Sequence, residues 1–241
     1  AAIIALDICA AFDSTDYKGS ITDDLAETAR LVERSGGRIL ARQADVRDGD
    51  AVDAVLAEGV GEFGRLDIVI ANAGIIRITD TDDRRGTFRD IIDVNLVGAW
   101  NTVDAAIPAL IDGGRGGSIV LVSSTQGIKA SGTERAGLQA YGAAKRGLVA
   151  LMQGWPSQLA PHSTRVNAIH PSGVATDMII NDATIALAAE NDPWLAEQKN
   201  ALPIGLLTPD DIAGAVAWLV SDPAKFITGT SWPLDAGFTL R

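Results

Sequence analysis

The sequence is poor in the residues from which metal sites and disulfides are built. Among 241 residues there is one cysteine, Cys9, and there are two histidines, His162 and His170. A single thiol forms no internal disulfide, which fits a reducing cytoplasm. One thiol and two imidazoles are also too few for a transition-metal centre. Positive charge is scarce: 20 Lys and Arg stand against 31 Asp and Glu, for a formal charge of -11. An extended nucleic-acid surface and an anionic membrane surface are both excluded as partners on that balance. The longest apolar runs, such as AGAVAWLV, are far too short to cross a bilayer. No basic stretch followed by an apolar one marks a signal peptide. No G-x-S-x-G elbow occurs and neither histidine stands in a recognisable triad order, so serine-hydrolase chemistry is excluded. Linkers, internal repeats and low-complexity tracts are absent too.

What the chain does have is a regular alternation. IIALDI, GRILARQADV, LDIVIANAG, SIVLVSS and RVNAIHP are short, rich in Val and Ile, and not alternating. They read as strands buried on both faces, as parallel strands between helix layers should be. Helical patterns fill the gaps. Thr22 is positioned to cap a helix whose Leu25, Ala29 and Val32 share a face and which Gly36 can end. Thr208 with Pro209 opens another, with Ile212, Val216 and Leu219 inward, stopping at Asp222 and Pro223. Strands alternating with helices predict an α/β fold with a doubly wound parallel sheet, of Rossmann type, over one domain spanning 1–241.

The opening stretch AAIIALDICA ends a strand on Asp7. A strand ending in Asp before a helix matches the second strand of a dinucleotide-binding half, where the carboxylate binds adenosine ribose hydroxyls. The same Asp also reads as a surface residue at a strand end. On the first reading, the first strand, its glycine-rich turn and the first helix are not among these residues. The expectations are then an N-terminally truncated chain, weak cofactor binding, and, as the competing reading of function, a catalytically inactive binding or assembly subunit.

The chemistry-bearing motif is YGAAK, Tyr141 to Lys145. Four residues apart on a helix puts both side chains on one face. A free tyrosine has a pKa near 10, and an adjacent ammonium favours the phenolate, so the pair can serve as a general acid/base. A chance pair on a solvated helix is the alternative. Ser123 and Ser124 end the strand SIVLVSS at the sheet edge where open α/β sheets bind ligands. Asn72, Ala73 and Gly74 end the preceding strand in the same way, and Gly74 would let backbone approach a ligand closely. Asn95 lies in a helical segment where an amide has poor propensity.

Taken in order, Asp45-Val46, the NAG at 72–74, Asn95, the SS ending at Ser124, YGAAK, HPSGVATDM at 170–178 and ITGTSWPLDAG resemble a short-chain dehydrogenase/reductase from end to end. The resemblance implies that Tyr141 is the proton donor and acceptor and that Lys145 lowers its pKa and binds the nicotinamide ribose. Ser124 would hold the reacting oxygen, and Asn95 would support a water in the relay. Asp7 and Ile8 would face the adenosine ribose, Asp45 and Val46 adenine, and Asn72, Ala73 and Gly74 the ribose. Pro171, Gly173, Val174 and Thr176 would cradle the nicotinamide. NAD is the implied cofactor, since a 2′-phosphate would meet the Asp7 carboxylate.

Within the family the chain is similar to the carveol dehydrogenase group described as mycofactocin-coupled. The long insert between Asp7 and the next helix, the separation of Pro171 from Gly173, and the long Ser124-to-Tyr141 stretch carry that likeness. In that group the insert is thought to close over NAD. The implied substrate is a hydrophobic secondary alcohol or its ketone, such as carveol. A substrate lid would span about 177–203, with mycofactocin as redox partner and a homo-oligomer, dimer or tetramer, as the assembly. Pro156 falls inside the helix that starts near Tyr141, where an interior proline removes a backbone bond and costs about 3 kcal/mol. The resemblance implies that this helix helps form the dimer interface, so the proline is expected to disfavour that assembly.

Overall fold

The computed structural model describes residues 1–129 and 133–240. Residues 130–132, inside the long stretch between Ser124 and Tyr141, lie outside the described residues.

Every strand pairing is parallel. β1 (Ala2–Asp7) pairs with β2 (Arg38–Gln43), in register from Ala2 opposite Arg38 to Asp7 opposite Gln43. A four-stranded sheet runs in the order β3 (Ile68–Ala71), β4 (Gly117–Val122), β5 (Thr164–Pro171), β6 (Ser231–Leu234). Helices alternate with these strands: α1 (Thr22–Arg34), α2 (Gly49–Phe63), α3 (Arg84–Ile92), α4 (Ala99–Asp112), α5 (Ala136–Leu159), α6 (Asp182–Ala189), α7 (Pro193–Ala196) and α8 (Pro209–Leu219). This is the α/β, doubly wound, Rossmann-type arrangement that the alternation predicts.

The largest core cluster lies between the sheet and the pair α4 and α5. Val103, Ala106, Leu110, Leu148, Met152 and Leu159 pack there on Ile119, Leu121, Val166 and Ala168. On the other face Leu219 of α8, flanked by Ile212 and Val216, packs on Val120 and Ile169. A continuous helical run over Arg84–Asp112 is long and apolar enough to span a membrane by length and composition. Ile91, Val94, Val103 and Leu110 of this run are buried in the protein core, while Phe88, Val97 and Trp100 are exposed.

Several local expectations are corrected. β4 and β5 are buried on both faces, but β1 and β3 are not. Ile3, Ile68 and Ile70 are each more than a third exposed. Ile68 and Ile70 face a cavity of about 430 Å³ between β1 and β3, which Ile4, Leu6, Val52, Leu56 and Val69 also line. β6 is a further strand that the sequence pattern did not mark. The cap of α1 is not Thr22, which is already helical. The Ile21 amide donates to the Asp24 carboxylate at 2.9 Å, so the acid three residues on satisfies the end. Gly36 does terminate this helix, with φ of 75°. Pro156 lies inside α5, as its place in the sequence predicts, and the helix continues to Leu159. The proline sits in the last turns, and the buried Trp155 and Leu159 on either side keep the segment packed against the sheet. Thr208 caps α8 through the Asp211 amide at 3.2 Å, as its sequence predicts.

Candidate active site

The carboxyl edge of the sheet is where the sequence motifs converge. β4 delivers Ser123 and Ser124 at its end, and α5 lies alongside. The Ser123 hydroxyl donates to the Lys145 carbonyl at 2.9 Å, tying strand end to helix. Ser124 Oγ accepts the Gln126 amide at 3.2 Å. On α5, one helical turn separates Tyr141 from Lys145. The Lys145 ammonium lies 5.4 Å from the Tyr141 ring centroid and donates to the Val122 carbonyl at 2.8 Å.

Burial governs the charges here. It pushes the Tyr141 phenol above its ordinary value, while a hydrogen bond with Ser124 works the other way. It also lowers Lys145 to about 8. The sequence argument that the ammonium pulls the phenol down is therefore not what dominates in the folded chain. Both groups are enclosed, and desolvation favours the neutral form of each.

Asn95 sits in a single π-helical turn, Asp93–Gly98, between α3 and α4. Such turns recur at functional positions because the extra residue re-aims a side chain. Asn95 is fully buried. Its Nδ2 donates to the carbonyls of Ile75 at 2.7 Å and Ile91 at 2.8 Å, which leaves Oδ1 without a partner among the described residues. Gly74 lies directly over that oxygen. A Cβ at Gly74 would come within 2.6 Å of Asn95 Oδ1 and 3.3 Å of Lys145 Nζ. This is the close approach that the glycine permits.

Two cavities adjoin at this edge. The larger, about 1240 Å³, is lined by Asp7, Asn72, Ala73, Gly74, Asn95, Ser124, Tyr141, Lys145, Pro171, Gly173, Val174 and Thr176. The smaller one lies between β1 and β3 and takes in Ile8, Asp45 and Val46. Every candidate catalytic and cofactor-binding residue named from the sequence thus lines one or both of these cavities, which share Asp7, Asn72, Ala73 and Gly74. Asp7 Oδ1 accepts the Cys9 amide at 2.7 Å and the Ser20 hydroxyl. The Asp45 carboxylate is taken up by Arg47, whose backbone and side chain donate at 2.9 and 2.8 Å. Burial works to raise the Asp45 pKa, and those bonds outweigh it and hold it low.

His170 Nδ1 lies 2.9 Å from the Ser124 carbonyl in a fully buried position, so this imidazole braces the serine, the structural role that its place beside Pro171 predicts. Sequence reasoning missed two features. Arg135, at the start of α5, pairs with Asp192, which caps α7 through the Leu195 amide at 3.0 Å. Tyr17, in the insert, packs against the same apolar cluster as Tyr141. Only the unusual length of the insert marked its region in the sequence; no local pattern marked the pair.

The groove can hold an extended ligand along the strand ends, with an apolar chamber beside Ser124 and Tyr141. Known proteins match this arrangement. The family described as enoyl-(acyl carrier protein) reductase matches over residues 4–239. An uncharacterized oxidoreductase of Mycobacterium tuberculosis (strain CDC 1551 / Oshkosh) is 49% identical over 98% of this chain and 86% of its own. The (-)-trans-carveol dehydrogenase of Rhodococcus erythropolis is 40% identical over 93% of this chain and 83% of its own. A crystal structure of carveol dehydrogenase from Mycobacterium avium in complex with NAD superposes with a TM-score of 0.91 at 39% identity, covering 98% of this chain and 87% of that one. With matches of this identity spanning nearly its whole length, the chain belongs to the short-chain dehydrogenase/reductase family of oxidoreductases.

Proposed function

We propose that this chain is an NAD-dependent alcohol dehydrogenase acting on hydrophobic secondary alcohols. The observation that carries the reading is the meeting of Ser124, Tyr141, Lys145 and the unpartnered Asn95 Oδ1 in one cleft. The residues present fit a dinucleotide. Asp7 would take the adenosine ribose hydroxyls, with Ile8 beside it, and Asp45 and Val46 would flank adenine. Asn72, Ala73 and Gly74 would line the ribose. Lys145 would bind the nicotinamide ribose, and Pro171, Gly173, Val174 and Thr176 the nicotinamide. When bound, NAD accepts the hydride from the alcohol carbon. Ser124 holds the alcohol oxygen, and Tyr141 takes its proton as the carbonyl forms. Lys145 supplies positive charge beside that phenolate. Asn95 offers Oδ1 to a water that carries the proton onward.

The substrate chamber supports the choice of alcohol. Ile76, Ile78, Met178, Ile179, Ile180 and Ile185 line the cleft, and among the described residues its only basic side chains are Lys18 and Lys145. Apolar walls with two placed hydroxyls suit a neutral substrate rather than an anion. The segment 177–203, which contains α6 and α7, acts as the lid over it. A cyclic terpenoid alcohol such as carveol fits this chemistry. Assembly as a dimer or tetramer belongs to the same reading, with Val97 and Trp100, both about 40% exposed, available on one helical face. If NAD is held too tightly to exchange, a redox partner such as mycofactocin would reoxidise it in place.

The test is a panel of cyclic terpene alcohols, steroids, polyols and hydroxy acids, assayed with NAD, with NADP and with an artificial electron acceptor. The expected result is preference for the apolar cyclic alcohols and for NAD. Best activity on polyols or hydroxy acids would reject the apolar-chamber reading. Equal use of NADP would show that Asp7 does not face the ribose.

A further inference from the structure

The insert between β1 and α1, residues 8–21, is fastened to the body of the protein at one buried carboxylate. Asp16 accepts the amides of Ile78 at 2.6 Å and Thr79 at 2.9 Å and the Thr79 hydroxyl at 2.5 Å. Arg77 lies against the same carboxylate, with Nε 3.4 Å away, and reaches back to the carbonyls of Asp13 and Thr15 at 3.4 and 3.5 Å. The Asp16 side chain is only 5% exposed. A carboxylate buried with three donors and a guanidinium is a fixed point rather than a loop contact. At the far end of the insert, Gly19 passes so close to Ala10 that a Cβ there would come within 2.4 Å of the Ala10 carbonyl oxygen. The insert is therefore closed on itself as well as pinned.

The residue after the pin is Tyr17. Its hydroxyl accepts the Ile76 amide at 3.4 Å. Its ring packs on the cluster of Ile76, Ile78, Leu138 and Leu187, which Tyr141, Met178, Trp194 and Leu195 also join. Burial pushes its phenol up to about 12, so it stays neutral at any working pH. Tyr17 lines the smaller cavity, Ile76 and Ile78 line the larger cleft, and Met178 lines both. The ring thus stands behind the wall of the apolar chamber, on the side where the two cavities meet.

We propose that Tyr17 is a specificity-determining residue: held by the Asp16 pin, its ring backs Ile76, Ile78 and Met178 and sets how bulky an alcohol or ketone the chamber accepts. This rests on the function proposed above and deepens it, since it assigns the insert a role toward substrate as well as toward the groove along β1. The physical reason is packing. Interiors are close-packed, and flexible Met178 together with Ile76 can move into space vacated behind them. Tyr17→Ala opens that space and deepens the chamber. Tyr17→Phe keeps the ring and loses only one long hydrogen bond. Asp16→Ala keeps the ring but frees it from its anchor.

The experiment is calorimetric binding of a compact ketone, cyclopentanone, and a bulky one, a decalin ketone, to the chain in the presence of NADH. NADH affinity is measured alongside in each variant. The expected result is that Tyr17→Ala shifts the bulky-to-compact affinity ratio toward the bulky ketone by about tenfold, the scale of a small change in pocket volume. Asp16→Ala should shift it in the same direction. Tyr17→Phe should stay within threefold of the parent, and NADH affinity should stay within threefold throughout. An unchanged ratio in Tyr17→Ala, or a loss confined to NADH affinity, would overturn the proposal. A parent chain that binds both ketones yet transfers no hydride would reject the proposed function while leaving the ratio readable. A parent that binds neither ketone would overturn both. If Asp16→Ala does not fold, Thr79→Val weakens the same anchor and is held to the same expectation.

Discussion

Lys145→Met should make the folded chain more stable at neutral pH while removing the charge that the proposed chemistry requires. The ammonium is only 3% exposed, and burial alone lowers its pKa from 10.5 to about 8. Each pKa unit between folded and unfolded states corresponds to about 1.4 kcal/mol, so enclosing the charge costs about 3 kcal/mol below pH 8. A methionine fills similar volume without that penalty. Its removal leaves the Val122 carbonyl without the 2.8 Å bond from Nζ, which costs about 1 kcal/mol. The net expectation is about 2 kcal/mol of stabilisation at pH 7. The sign of the pH dependence follows from the lowered pKa. Between pH 8 and 10.5 the unfolded lysine still holds its proton and the folded one has lost it, so parent stability rises with pH across that window. The variant lacks this rise, and its advantage should vanish and slightly reverse by pH 10.5. Urea denaturation of both chains at pH 7, 8, 9 and 10.5 reads this directly. Taking the difference between them removes the contributions of Tyr17 and Cys9, whose pKa values are also displaced upward; Tyr141 adjoins Lys145, so its contribution changes with the substitution. A parent chain more stable than Lys145→Met at pH 7, or a difference that does not change with pH, would refute the claim that the ammonium is held at a desolvation cost.

Gly74→Ala should destabilise the chain and impair turnover together, because its methyl meets Asn95 Oδ1 at 2.6 Å against a fully buried, doubly bonded side chain. A loss of about 1–3 kcal/mol by urea denaturation is the expected scale for such overpacking, and a neutral variant would show that the glycine has room. Asp192→Asn should weaken the anchor between α7 and the start of α5. That pair is largely enclosed, with side chains 17% and 8% exposed, so its loss should approach the ~3 kcal/mol of a buried pair rather than the few tenths of a surface one. Hydrogen exchange over 182–199 would show the effect as faster exchange in the variant, and unchanged exchange would remove the pair's role in holding the segment.

Most of the site was legible in the sequence because its residues sit at ends of periodic elements. Ser124 follows a continuous apolar strand, Tyr141 and Lys145 share one helical face, and Gly74 and Asn95 stand where their types are unusual. The elements that escaped are those set by contacts distant in sequence. β6 is short and contains Pro233, so it carries no strand signal by itself, yet it pairs with β5 from Ala168 to Pro171. The exposure of Ile68 and Ile70 depends on what lies between β1 and β3, and no local pattern reports that. Pro156 was legible as an interior helix proline, but the packing of Trp155 and Leu159 that holds its segment against the sheet was not. The Tyr141 pKa was misjudged for a related reason: helical spacing shows that an ammonium is near, but only the fold shows that burial outweighs it. Asp16 and Tyr17 looked like ordinary loop residues until the structure brought residues 76–79 against them.

The central claim is that Tyr141 carries the proton in a hydride-transfer reaction. Tyr141→Phe keeps the ring packed against Ile76, Ile78 and Leu138 and removes only the transferable proton. Turnover of the best alcohol from the panel, with NAD affinity measured by calorimetry on the same preparation, is the most direct measurement. The account predicts that turnover is abolished while NAD affinity stays within a few-fold of the parent. Substantial dehydrogenase activity in Tyr141→Phe would contradict it.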